Sequence, residues 1–129
     1  MDNIEYHIKE AENKLAAAKS LFENGFYKDS ASRSYYSMYH AARALLLTKD
    51  ISPKTHEGLI AKFGLEFVKK DIIEKYYSKA LAKGKDVREI ADYGVIVEIT
   101  EEEAESVIED AEKFLERIKE AIREVDTET

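Results

Sequence analysis

With 129 residues, 44% of them hydrophobic, the chain has the size of one domain and can bury a core without cross-links. It contains no cysteine, which excludes disulfides and thiolate–metal sites, and it has no apolar run of bilayer length or leader-peptide pattern, so a cytoplasmic protein with no membrane association is expected. The formal charge of −7 is unevenly placed: residues 98–129 hold 13 acids and 4 bases, and residues 1–97 hold 14 acids and 16 bases. That excludes a generally basic nucleic-acid-binding surface but leaves room for a local basic cleft in the first three quarters of the chain.

One proline and five glycines in a chain rich in Ala, Leu, Glu and Lys predict an all-α protein. Helix 1 is expected over residues 3–24, where Ile4, Ile8, Ala11, Leu15, Ala18 and Phe22 recur at three- and four-residue steps. Asn24-Gly25 supplies a left-handed stop. Helix 2 starts between Tyr27 and Asp29 and ends near Thr48. Its core stripe is Ala31, Tyr35, Met38, Ala42 and Leu45. Beside it Ser30, Ser34, Ser37, Ala41 and Ala44 form a strip of small residues that lets another helix approach closely. Ile51-Ser52-Pro53 breaks the helical pattern.

Helix 3 is shorter, over residues 55–68, with Leu59, Ile60, Phe63 and Phe67 inward. Helix 4 is expected over residues 71–91, with Ile73, Tyr77, Ala80, Val87 and Ala91 as its stripe and Gly84 as a kink or close contact. Residues 95–99 read as an extended connector. Thr100-Glu-Glu-Glu103 is a capping box, and helix 5 follows to about residue 125 on a wide apolar face suited to a bundle interior. The whole, residues 1–129, reads as a single domain: an up-and-down bundle of four long helices plus one short helix.

Two stretches carry more polar chemistry than packing needs. Residues 30–47 contain Arg33, Tyr35, Tyr36, Tyr39, His40 and Arg43 in one helix, and residues 88–93 contain Arg88, Asp92 and Tyr93. Arg88 and Asp92 are four apart, so an intrahelical ion pair and a functional pair are both open readings. Tyr35 lies on the core stripe and needs a partner for its hydroxyl. Tyr36 and Tyr39 lie on other faces, where one could stack on a base. Arg33 and His40 are two turns apart on one face. Arg33 is also four from Asp29, an alternative ion pair, and His40 can equally be a histidine hydrogen-bonded inside the bundle. His56 reads as a capping or interface residue, and His7, near the start of helix 1, carries no functional expectation. No histidine has an acidic partner at ligand spacing, so no metal site and no cofactor are expected. Neither a glycine-rich phosphate loop nor a nucleophile motif occurs.

Taken in order, Arg33-Ser-Tyr35-Tyr36-Ser-Met-Tyr39-His40, Thr55-His56-Glu57-Gly58, Phe63-Gly64-Leu65-Glu66-Phe67-Val68 and Arg88-Glu-Ile-Ala-Asp92-Tyr93 resemble the small prokaryotic branch of the HEPN domain family, over nearly the whole chain. The resemblance implies a compact bundle of four main helices and a short one. It implies a homodimer, commonly encoded beside a minimal nucleotidyltransferase as a toxin–antitoxin pair. Many toxins of the family are metal-independent ribonucleases, marked by an arginine, a short gap, a histidine and often a tyrosine. Here Arg88 matches the arginine and Tyr93 the tyrosine, but Asp92 stands where the histidine belongs. Histidine takes and gives a proton near neutral pH, whereas an aspartate beside an arginine stays ionised and is a poorer acid.

The expectation is therefore a nucleotide- or RNA-binding member of such a pair, non-enzymatic or weakly enzymatic. Arg88, Asp92, Tyr93, Arg33, Tyr36 and His40 would be its ligand-binding residues. The alternatives are a metal-independent endoribonuclease toxin, with Arg88 and Asp92 catalytic, and a plain helical protein-interaction module.

Overall fold

The computed structural model describes residues 3–93 and 98–127. They form five helices and, among the described residues, no strand: α1 (Ile4–Glu23), α2 (Tyr27–Leu47), α3 (His56–Phe63), α4 (Lys75–Tyr93) and α5 (Glu101–Thr127). This is the expected all-α, up-and-down bundle, with α3 as the short flank and α2 at its centre, in contact with each of the others. No helix in the described residues is long and apolar enough to cross a membrane.

Local sequence accounts for most of the boundaries. Asn3 caps α1 by accepting from the amide of Tyr6. The helix ends where Gly25 takes φ +81°, with the amide of Phe26 returning to the carbonyl of Leu21. α2 gives way after Leu47 to a turn that ends at Asp50, also left-handed at φ +58°, three residues before Pro53. Thr55 caps α3 by accepting from Gly58. Thr100 and Glu103 cap each other's amides at the start of α5, as the capping box predicts.

Two boundaries differ from expectation. The segment read as one helix over 55–68 is α-helical only to Phe63 and continues as a π-helical turn over Gly64–Val68, where the amide of Lys69 reaches back to Gly64. α4 begins at Lys75 rather than near Asp71. The amides of Ile72 and Ile73 both turn onto the carbonyl of Phe67, and Asp71 adopts φ +59°, which a helix start cannot accommodate. Ile73 is buried all the same, from the turn and not from a helical stripe. The connector read over 95–99 lies outside the described residues as far as 97; Ile99 is buried against Ala31 and Ala104.

The core lies between the four long helices. Tyr35, Met38, Leu45 and Leu46 of α2 meet Phe63 and Phe67 from the α3 region, Leu81 of α4, and Val107, Phe114 and Ile118 of α5. The small strip of α2 is buried against α1. The Ser30 hydroxyl donates to the carbonyl of Ala18 at 2.8 Å and that of Ser37 to the carbonyl of Ala11 at 2.8 Å. The strip does bring a helix close, but that helix is α1 of the same chain, so the strip is not the surface for a second copy. On the other side of α2, a β-carbon at Gly84 would sit 2.6 Å from Cε of Met38. α4 therefore approaches α2 closely enough to bring Arg88, one turn further on, over the α2 tyrosines.

Candidate functional site

The tyrosines in the middle of α2, the first residue of α3 and the last two turns of α4 converge on one side of the bundle. Arg43 fixes the approach of α3: its guanidinium donates to the Tyr39 hydroxyl at 3.1 Å, to the carbonyl of Pro53 at 3.0 Å and to the Ser52 hydroxyl at 3.3 Å, tying the 51–55 loop to α2. His56 is thereby laid against the tyrosines. Its ring is 4.6 Å from that of Tyr39 and 5.9 Å from that of Tyr36, and its Nδ1 lies 2.7 Å from the buried Tyr35 hydroxyl.

Arg88 comes from α4. Its Nη2 donates to the Tyr36 hydroxyl at 2.6 Å, across 52 residues of sequence. Its Nε lies 2.8 Å from a carboxylate oxygen of Asp92, an ion pair in which the N–H is not aimed as a hydrogen bond. The guanidinium carbon sits 5.2 Å from the ring centre of Tyr36 and 5.6 Å from that of Tyr93, within cation–π range. Burial works against the charge of Arg88, but Tyr36, Asp92 and Tyr93 more than offset it and hold the guanidinium more firmly protonated than usual. Tyr93 is 70% exposed. The Arg88–Asp92 pair is thus the intrahelical ion pair that the spacing allowed, set between the rings of Tyr36 and Tyr93.

Tyr36 also lines a second feature, a shallow groove of about 380 Å³ with Lys14, Ser32, Arg33 and His40. Arg33 is exposed and makes no ion pair with Asp29 among the described residues. So the structure gathers the six expected residues into two adjoining sets, Arg88–Asp92–Tyr93–Tyr36 and Arg33–Tyr36–His40, with Tyr36 in both. Lys14 and His56 were missed. Lys14 comes from α1, and its meeting with α2 depends on the helix crossing, which no local pattern reports. His56 followed a recognisable cap, but its bonding to Tyr35 is a tertiary contact.

The histidines need one correction. His7 is not an idle residue at a helix start: it is 3% exposed and its ring stacks on that of His40 at 5.2 Å, with the two Nδ1 atoms 3.0 Å apart. At that distance one Nδ1 carries the proton and the other accepts it. Burial first, and then the neighbouring His7, push the pKa of His40 down to about 4. Burial, followed by the charge of Arg88, also lowers that of His56. Among the described residues no group of three or more His, Asp or Glu side chains could hold a metal ion.

The sequence comparisons agree with this architecture. The HEPN domain family model matches residues 4–121. A Methanocaldococcus jannaschii protein named "Putative toxin MJ0605" is 48% identical over 96% of this chain and 92% of its own length. Another from that organism, "Putative toxin MJ0142", is 37% identical over 90% of this chain and 79% of its own. A Pyrococcus horikoshii protein named "UPF0332 protein PH1297" is 50% identical over 65% of this chain and 59% of its own. A family match over residues 4–121, nearly the whole bundle, places the chain in the HEPN domain family.

Proposed function

We propose that the protein is the toxin-like member of a pair with a nucleotidyltransferase, and that it binds RNA or nucleotide phosphate on the Arg88 surface without efficient cleavage. The observation that supports this most is the seating of Arg88. Its guanidinium is oriented by the Tyr36 hydroxyl and by Asp92 and flanked by the rings of Tyr36 and Tyr93. A planar fork held this way suits two-point pairing with phosphate oxygens, and an exposed tyrosine beside it offers a face for a base. Arg33 and Lys14 extend the positive surface along the adjoining groove. Two of the relatives are named as putative toxins, which fits this role. Asp92, in the place of the family histidine, holds Arg88 by charge and is a weaker proton shuttle than an imidazole near neutral pH. The protein would act as a homodimer, as the family resemblance implies.

The test is binding of a fluorescent single-stranded RNA, followed by anisotropy in EDTA. Arg88→Ala should abolish binding while helicity stays intact, and Arg88→Lys should not restore it, because an ammonium cannot pair at two points. Arg33→Ala should weaken binding about uniformly across sequences and reduce its salt dependence. Wild type should cleave the RNA slowly or not at all, and Asp92→His is the variant expected to gain cleavage. Rapid metal-independent cleavage by wild type, lost in Arg88→Ala, would instead make the protein a ribonuclease. Absence of both binding and cleavage would leave a helical interaction module.

A further inference from the structure

The tautomer of His56 follows from its neighbours. Tyr35 is fully buried, and its hydroxyl has the His56 Nδ1 as partner at 2.7 Å. Burial, with smaller contributions from Tyr36 and Tyr39, raises the pKa of the phenol, so it keeps its proton. A buried hydroxyl proton left without an acceptor costs about 1–3 kcal/mol. Tyr35 must therefore donate, and Nδ1 must accept. A neutral imidazole has one proton, which then lies on Nε2. Nε2 has no partner among the described residues and is not sealed from the surface.

The charges around that ring are two cations, Arg88 and Lys85, set against Glu57, Glu89 and the Asp92 carboxylate paired with Arg88. α2 presents Tyr35, Tyr36 and Tyr39, and α4 presents Arg88, Lys85 and Glu89. On α3, Glu57 is 3.4 Å from the ammonium of Lys85, which also pairs with Glu89, so both nearby carboxylates are turned to one shared cation rather than to His56. His56 and Arg88 meet through Tyr36, which touches one by its ring and the other by its hydroxyl.

We infer that His56 is a further anion-binding residue of the Arg88 site: a neutral imidazole, fixed by Tyr35 as the Nε2–H form, that donates to a phosphodiester oxygen of the RNA held by Arg88. This rests on the reading of the Arg88 surface as an RNA site. Tyr35 is then a positioning residue, acting on the ligand only through His56. Because the donor is uncharged, RNA affinity is flat between about pH 8 and pH 6.5; a cationic histidine would tighten binding as the pH falls through its own pKa.

Long-range ¹H–¹⁵N NMR on the imidazole nitrogens tests this, with a short single-stranded oligouridylate as ligand. In the free wild type, His56 should show a protonated Nε2 and an unprotonated Nδ1. On adding RNA, the Nε2 signal should shift to saturation in wild type and stay still in Arg88→Ala. Tyr35→Phe should give a mixture of tautomers and weaken binding, and His56→Leu should weaken it about 3- to 10-fold, the range of one neutral hydrogen bond. A protonated Nδ1 in the free protein, or an Nε2 signal unmoved by bound RNA, overturns the inference without recourse to any variant. So does RNA binding that needs Arg88 but is as tight in His56→Leu as in wild type, and in that case the reading of the Arg88 surface survives. Wild type that binds no oligouridylate overturns both.

Discussion

Adding one methyl group at Gly84 sets two effects against each other. The new β-carbon would meet Met38 Cε at 2.6 Å and Tyr35 Cδ1 at 3.4 Å. The methionine end is flexible but buried, so it can move only at some packing cost. Alanine, however, is favoured over glycine inside a helix by about 1 kcal/mol. Gly84→Ala is therefore expected to be near neutral in urea unfolding, whereas Gly84→Leu, which cannot be absorbed by one methionine, should destabilise by about 2–3 kcal/mol. At His40 the expected effect is on pH dependence. Its pKa is near 4 in the fold and 6.5 as an ordinary imidazole. A base whose pKa is lowered by folding binds more protons when unfolded, so its stabilisation is complete above about pH 6.5 and is lost as the pH falls towards 4. The ring is only partly buried, so the loss should be about 2 kcal/mol rather than the full shift. Glu57, whose pKa is lowered by a backbone amide first and then by Lys85, and Glu66 and Glu74, whose pKa values are lowered by Lys70 and Arg117, lose their contribution only below the ordinary carboxylate range. Melting temperature between pH 6.5 and 5 should thus fall in wild type and change less in His40→Leu. Single residues were unevenly legible in the sequence. Arg88–Asp92 and the close approach at Gly84 follow from helical spacing. His7–His40, Tyr35–His56 and Arg88–Tyr36 join residues 33, 21 and 52 apart, and no spacing rule reaches across two helices.

Between elements, α1 and α2 are joined by serine hydroxyls as well as by methyl groups. Ser30 and Ser37 each reach a carbonyl of α1, bonds possible only where the two backbones run close. Ser37→Leu would remove one bond and wedge the helices apart, at an expected cost of about 2–4 kcal/mol in chemical denaturation. Ser37→Ala should cost only about 1 kcal/mol. The small strip was plain in the sequence, but its occupant was not: a strip of serine and alanine fits any helix, its own neighbour or a second copy. The capping box at Thr100 was readable because the cap lies within three residues of the amide it serves; Asn3 and Thr55, where helices 1 and 3 were expected to begin, cap in the same local way. The π-helical turn and the late start of α4 were not. The spacing of Leu59, Phe63 and Phe67, and separately of Ile73, Tyr77 and Ala80, fits regular helices equally well, and left-handed Asp71 carries no glycine to mark it.

For the molecule as a whole, the acidity concentrated after residue 98 lies on α5, whose exposed carboxylates flank Lys19, Lys113 and Lys119, while the Arg88 cluster draws on α2 and α4. With the small strip buried, a homodimer has to use other apolar surface, and Ile90, 42% exposed near the end of α4, offers one. A biological interface there should bury more than about 1,000 Å² in total. Sedimentation velocity at tens of micromolar is expected to show a dimer that Ile90→Asp converts to monomer; a wild-type monomer under those conditions would count against self-association.

The distance in sequence between Tyr36 and Arg88 also bears on when the site exists. A chain emerging from the ribosome has its tyrosines and His56 well before its guanidinium, and the two can meet only once α4 has been made and docked on α2. Nascent chains, products of early termination and partly unfolded molecules all lack the assembled cluster. The cluster is in this sense a late-arriving property of the fold, present only once α4 has been laid on α2.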